Sequence, residues 1–274
     1  MSVSTPVDRQ LLDTQRAFDS VAAAYDGPLG NNALVQLLRE QLWQMVGRLL
    51  PRGARLLDLG CGTGIDAVHF AGQGYELVAA DWSPQMVART CARAAESGVA
   101  GRVSAVQVGI QELDRLQGEP FDGLYSDLGP LNCVADLRAA ARASAALLKP
   151  GGRFIASVIG RVCPWEFAYY AFKGDWARAR LRGRRGPVPV QLNRETVWTT
   201  YYTPREFYGA FARDFVLTGY RALALFMPPP YLVHLYARAR PLFAPLGWLD
   251  EHVGALPLAR DAGDHFLMVL TKRE

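Results

Sequence analysis

Leu56-Leu57-Asp58-Leu59-Gly60-Cys61-Gly62-Thr63-Gly64 is the stretch that decides the fold. Its apolar half reads as the end of a buried strand, and its second half is a glycine-rich turn. Ile65 to Gln73 then reads as the start of a helix. Glycine allows positive φ and lets a ligand come close to main chain. A helix start aims unpaired N–H groups and the positive end of its dipole at that turn. Strand, turn and helix together predict a place where a polar cofactor lies on backbone. A dinucleotide fingerprint would need glycine at 65, where this chain has Ile65, and a phosphate loop would need Gly-Lys-Ser/Thr, which is missing.

Around this turn the chain alternates strand and helix. Residues 33–50 repeat apolar side chains at helical spacing (Leu34, Leu38, Leu42, Val46) and stop at Pro51-Arg52-Gly53. Strands are predicted at Arg55–Leu59, Glu76–Ala80, Val103–Val108, Phe121–Ser126 and Arg153–Ile159. Helices are predicted over 84–97 and 135–148, the former starting at Pro84 and stopping at Gly98. That rhythm predicts an α/β, Rossmann-like doubly wound sheet, mainly parallel. Helix Pro204–Arg213 and strands Phe215–Leu225 and Asp264–Thr271 would complete seven strands, the last pair antiparallel. Residues 1–12 read as frayed, and Phe18–Asp26 as a short helix ended by Gly27-Pro28. Residues 161–203 and 227–263 read as irregular insertions over the sheet.

The 274 residues, 50% hydrophobic and 20% charged, suit one such domain with insertions. The net charge of +4 does not by itself argue for nucleic acid. Cys61, Cys91, Cys133 and Cys163 are scattered, so neither a zinc site nor a disulfide framework is expected, and a reducing cytoplasm fits. The start MSVSTPVDRQ has no signal-peptide character, and no apolar run is long enough to span a membrane.

The Asp58-to-Gly64 pattern resembles motif I of class I S-adenosylmethionine-dependent methyltransferases. Val78-Ala79-Ala80-Asp81 resembles their second motif. Phe121-Asp122-Gly123-Leu124-Tyr125-Ser126 and Leu148-Lys149-Pro150-Gly151-Gly152 also fit, so residues 50–160 match in order. The Phe18–Asp26 segment resembles the lead-in of small-molecule methyltransferases of the ubiquinone- and biotin-biosynthesis type. This resemblance implies one domain: a helical lead-in over 1–50, a cofactor-binding core over 51–160, and substrate-cap insertions at 161–203 and 227–263. It implies S-adenosyl-L-methionine held by Gly60, Cys61 and Gly62, with Asp58 beneath the turn. Asp81 would take the ribose hydroxyls. Trp82 and Ile110 would flank adenine, and Met86 would also contact the cofactor. Gln111 would meet the adenine amino group, because Gly109 stands where the family often has an acid. Tyr25 would touch the methionine end. Ser126, Asp127 and Leu128, beyond the fourth strand, would face cofactor or substrate.

Several residues have two readings. Asp127 and Asn132 are either site residues or turn formers. Asn132 and Glu166 are the candidates for a catalytic role, although a surface carboxylate is the plainer reading of Glu166. Cys61 is a small turn residue rather than a nucleophile, and His69 is structural. Trp165, Tyr169 and Phe172 share helical spacing that suits core, and Trp198, Tyr201 and Tyr202 suit cap core or pocket wall. Arg178, Arg180, Arg182, Arg184 and Arg185 form a solvated run or a site for an acidic substrate or RNA. The aromatics of 227–263 form a packed cap, a pocket roof, or a weak membrane-surface contact beside Arg238 and Arg240. The resemblance therefore implies direct methyl transfer to a small-molecule acceptor without a metal. The alternatives are an RNA methyltransferase and a cofactor-binding protein without transferase activity. Nothing in the sequence fixes the oligomeric state.

Overall fold

The computed structural model describes residues 5–28 and 30–274. Helix α1 spans Pro6–Val21 and α2 spans Ala33–Leu49. Then follow β1 (Arg55–Leu59), α3 (Ile65–Gly72), β2 (Glu76–Asp81), α4 (Pro84–Glu96), β3 (Val103–Gln107), β4 (Phe121–Ser126), α5 (Leu137–Leu147) and β5 (Leu148–Ile159). The first insertion holds α6 (Pro164–Phe172), α7 (Trp176–Ala179) and a hairpin of β6 (Val188–Leu192) and β7 (Glu195–Thr199). Helix α8 (Pro204–Phe211) leads to β8 (Phe215–Leu223). Helices α9 (Val233–Arg238) and α10 (Arg240–Val253) precede β9 (His265–Lys272).

The main sheet has seven strands in the order β3-β2-β1-β4-β5-β9-β8. The pairs among β1 to β5 are parallel, and β9 runs antiparallel between β5 and β8. The order reverses between β1 and β4, where ligands of such sheets bind beyond the strands' carboxyl ends. One core layer joins α5 and α8 to the sheet through Phe154, Phe207, Phe211 and Phe215. The other joins α2 and α3 through Leu42, Val46, Phe70 and Tyr75.

Three expectations need correction. Residues 5–12 are not frayed: Thr5 and Asp8 form a reciprocal cap, and a helix of 16 residues follows. Residues 1–4 lie outside the described residues. The first insertion contains a regular hairpin, turned by Asn193 at φ +55°, in a stretch whose prolines suggested irregularity. The second is mostly helical, and α10 carries Pro245 inside it.

Candidate functional site

The glycine turn is fixed from below. Gly60 and Cys61 donate their N–H groups to the Ala80 carbonyl, at 2.8 and 3.0 Å. Asp81 accepts from the N–H groups of Gly62 and Ser83, each at 2.9 Å. Thr90 Oγ1 donates to the Gly62 carbonyl. Gly60, Gly62 and Gly64 all take positive φ. A Cβ at Gly60 would stand 2.4 Å from the Pro130 side chain, and one at Gly64 would meet Thr90 at 2.8 Å. A Cβ at Gly62 would meet nothing within 4 Å, because that residue faces open space.

That space is a cavity of about 330 Å³. Gly60, Cys61, Gly62, Asp81, Trp82, Met86, Ile110, Gln111, Asp127, Leu128 and Tyr25 all border it, so most of the expected cofactor residues converge there. Its opposite wall is largely apolar and comes from Leu11 and Phe18 of α1, Cys133, Val134, and Val190, Leu192 and Val197 of the hairpin. Leu128 holds φ +58°, a strained conformation for a leucine, at the rim.

Helix α1 closes the cavity through polar ties. Gln15 donates to the Trp82 carbonyl, and Ser83 donates to Asp19. Thr63 and Arg93 both donate to Asp26, fastening the segment after α1 to the glycine turn. On the other side Trp198 of β7 donates its N–H to Thr14 and its indole N–H to Asp13.

Beneath the cavity lie three carboxylates and one guanidinium. Asp58 is 1% exposed and accepts from the Tyr125 hydroxyl at 3.0 Å. Burial and then the charge of Asp66 push its carboxyl well up. Asp66 accepts from Arg39 and from the Trp43 indole. Asp127 Oδ1 takes the Leu128 N–H, while its Oδ2 is buried, lacks a hydrogen-bond partner and stands 4.0 Å from Arg39 Nη1. Burial, followed by Asp66, raises Asp127 to about 7. Burial works against the Arg39 charge, but Asp66 and Asp127 outweigh it and hold the guanidinium above its ordinary value. Burial also raises Asp81. The Cys61 thiol is pushed well up, first by burial, so it stays protonated.

Other candidates lie elsewhere. Asp58 and Ser126 are beneath the turn rather than on the cavity wall, and the Ser126 hydroxyl donates to the Leu59 carbonyl. Asn132 is a clasp: its amide donates to the carbonyls of Ile159 and Thr200 and accepts from the Ile159 N–H. All three of these bonds go to main chain, and Asn132 does not border the cavity. Glu166 is not on the surface but buried away from the cavity, accepting from Arg182 and Tyr231 at 2.8 Å each. Arg182 also donates to Asp264 and to the carbonyls of Gly160 and Asp264, so it breaks the expected solvated run. Phe172 is not core but 95% exposed. His69 stacks on Trp43 with centroids 3.6 Å apart. Of 227–263, no residue borders this cavity.

Arg39 and Asp66 were missed. The signal for Arg39 was present, because it interrupts the apolar stripe Val35, Leu42, Val46 of α2. For Asp66 there was none beyond its place in the first turn of α3.

Residues 56–152 match the family described as a methyltransferase domain. The core of this chain is a methyltransferase domain. Its architecture is that of class I S-adenosylmethionine-dependent methyltransferases. A ubiquinone biosynthesis O-methyltransferase of Xanthomonas axonopodis pv. citri (strain 306) is 36% identical over 143 residues, 52% of this chain and 57% of that one. A tRNA 5-carboxymethoxyuridine methyltransferase of Escherichia coli (strain K12) is 30% identical over 141 residues, 50% of this chain and 54% of that one. The chain thus spans little more than half the length of these curated relatives. In the crystal structure of the cyclase SpnF the fold recurs with a TM-score of 0.61 at 19% identity, covering 96% of this chain and 95% of that one. A likeness of that degree speaks for the fold alone.

Proposed function

We propose that the chain transfers a methyl group from S-adenosyl-L-methionine to a small-molecule acceptor. The observation that carries this is the division of one cavity into a polar floor at the glycine turn and an apolar wall from α1 and the hairpin. The donor set fits the cofactor. Asp81 uses one lone pair of each oxygen on main chain and keeps others for the two ribose hydroxyls. Trp82 and Ile110 offer flat apolar surface to adenine, and Gln111 an amide to its amino group. At the other end, the unpartnered Asp127 Oδ2 suits an ammonium, and Arg39, whose Nε is buried without an acceptor, suits a carboxylate.

The cofactor supplies a methyl group already activated on a sulfonium. The chain's part is to hold the acceptor in line and exclude water, a kind of help worth up to about 7–11 kcal/mol in well-aligned systems. Helix α1 does the excluding. The acceptor is small and largely apolar, by the character of Leu11, Phe18, Val134, Val190 and Val197. Calorimetry with S-adenosylhomocysteine tests the cofactor assignment: absence of binding, or an Asp81→Ala variant that binds like wild type, removes it. A metabolite screen for methyl uptake then separates a transferase from a protein that only binds the cofactor.

A second reading, an RNA acceptor, draws on Arg178, Arg180, Arg184 and Arg185, which are exposed beside Phe172 and Trp176. Salt-dependent RNA binding that is lost on charge reversal of Arg180, Arg184 and Arg185 would favour it. Among the described residues no helix is long and apolar enough to cross a membrane.

A further inference from the structure

Helix α6 has its polarity reversed. A helix on a protein surface ordinarily turns charged residues outward and apolar ones inward. In α6 the one charged residue, Glu166, is buried, and the exposed residues are Pro164, Phe167, Ala168 and Phe172. The helix is nevertheless docked. Glu166 accepts from Arg182 and Tyr231, the Trp165 indole donates to the Phe226 carbonyl, and the Trp165 ring packs against Phe243. The outward apolar face therefore belongs to a fastened helix. Trp176, at the start of α7, adds a ring that is 51% exposed, and Phe172 is 95% exposed, with both faces of its ring bare. Contiguous exposed apolar side chains of this kind mark interaction surfaces.

Charge gathers at the same place. Residues 164–187 hold six cations and two acids, a net of +4, which equals the net charge of the whole chain. The rest of the sequence is therefore balanced. Arg182 and Glu166 pair in the interior. On the outside stand Lys173, Arg178, Arg180, Arg184 and Arg185, with Asp175 as the only acid of the segment beside them. Asp175 is committed to capping α7 and to Arg178. Among the described residues no ion pair reaches Lys173, Arg180, Arg184 or Arg185. Cations and rings also interleave: Lys173 Nζ lies 4.4 Å from the Tyr169 ring centroid, and the Arg180 guanidinium 5.6 Å from that of Trp176.

An apolar face bordered by unpaired cations narrows the choice of partner. RNA would use the cations, but base stacking calls for a ring that the protein backs on one face, and Phe172 is backed on neither. An anionic bilayer uses both features, because its headgroups meet the cations while rings enter the acyl boundary. We propose that α6 and α7 dock the chain on an anionic lipid surface. Phe167, Phe172 and Trp176 enter the interface, and Arg180, Arg184 and Arg185 meet the headgroups. This surface lies in the first insertion, not in 227–263, where the sequence suggested such a contact. None of these residues borders the cavity at the glycine turn, so the proposal is independent of the methyl-transfer reading.

Co-sedimentation of the full chain with vesicles tests the proposal. Vesicles of phosphatidylcholine with about 30% phosphatidylglycerol should bind the chain, and pure phosphatidylcholine vesicles at least about tenfold more weakly. Added salt should weaken the anionic binding. Phe172→Ser combined with Trp176→Ser should weaken it about tenfold or more at unchanged charge. Charge reversal by Arg180→Glu, Arg184→Glu and Arg185→Glu together should remove it. All these side chains are exposed, so both variants should keep the wild-type melting temperature. The proposal fails if neutral vesicles bind equally well, or if either variant binds anionic vesicles like wild type. It also fails if single-stranded RNA binds and anionic vesicles do not, or if sedimentation velocity shows a dimer that Phe172→Ser separates.

Discussion

Replacing Gly60 and Gly62 by alanine, one at a time, separates the structural from the ligand-facing part of the turn. Both residues hold positive φ, +82° and +53°. An L side chain in that region costs about 1–2 kcal/mol at either position. At Gly60 the new methyl also falls 2.4 Å from Pro130 Cβ and 2.5 Å from its Cγ. Overpacking of that kind adds about 1–3 kcal/mol. At Gly62 nothing stands within 4 Å, so no such addition arises. With roughly 2–4 °C of melting temperature per kcal/mol for a chain near this size, Gly60→Ala should lower Tm by roughly 10 °C and Gly62→Ala by roughly 5 °C. Binding should run in the opposite order. The Gly62 methyl enters the space where the cofactor would lie, so S-adenosylhomocysteine affinity should fall about tenfold or more, a loss of at least about 1.4 kcal/mol. Differential scanning calorimetry and titration calorimetry read the two effects separately. Equal Tm losses in both variants, or wild-type affinity in Gly62→Ala, would refute the reasoning.

Further expectations concern groups at and beyond the cavity. Asp127 is raised to about 7, so between about pH 4 and pH 7 the native state holds a proton that the unfolded chain has lost. Its contribution therefore lowers the stability of the ligand-free chain as pH rises through that window, and Asp127→Asn should flatten the slope in urea titrations. Arg182→Met leaves Asp264 and Glu166 buried without their cation. Removing one partner of a buried pair costs about 3–5 kcal/mol, visible as an earlier urea midpoint. Asn132→Ala orphans the Ile159 N–H and the Thr200 carbonyl, and should destabilise by about 1–3 kcal/mol or more while S-adenosylhomocysteine affinity changes little.

The core was legible because local signals and tertiary structure agree there. Strands β1 and β2 are short, mostly apolar runs, and the glycines at 60, 62 and 64 mark a turn that the later acid Asp81 closes. What escaped the sequence is what distance supplies. The hairpin of β6 and β7 finds its place through Trp198 bonding Asp13 and Thr14, some 185 residues upstream. Arg182 looked like one of five surface arginines until Glu166, Asp264 and the Gly160 carbonyl closed around it. Asn132 had the residue type and position of a site residue, yet its geometry spends both ends of the amide on backbone. Phe172 had core spacing, but it is the last residue of the short α6 and stands exposed, while Trp165 of the same face packs against Phe243.

The ties of α1 carry a consequence for the order of assembly. Chains are made from the amino end, and domains tend to form as their parts emerge. Helix α1 precedes everything it closes over. Its bonds to Trp82 and Ser83 become available once β2 is complete, but the hairpin that receives Asp13 and Thr14 arrives only with residues 188–199. Until then the wall opposite the glycine turn lacks the part that Val190, Leu192 and Val197 supply. A nascent chain paused before residue 188 should therefore hold α1 against one side of the turn only, and its amides should exchange with solvent faster than those of β1 and β2.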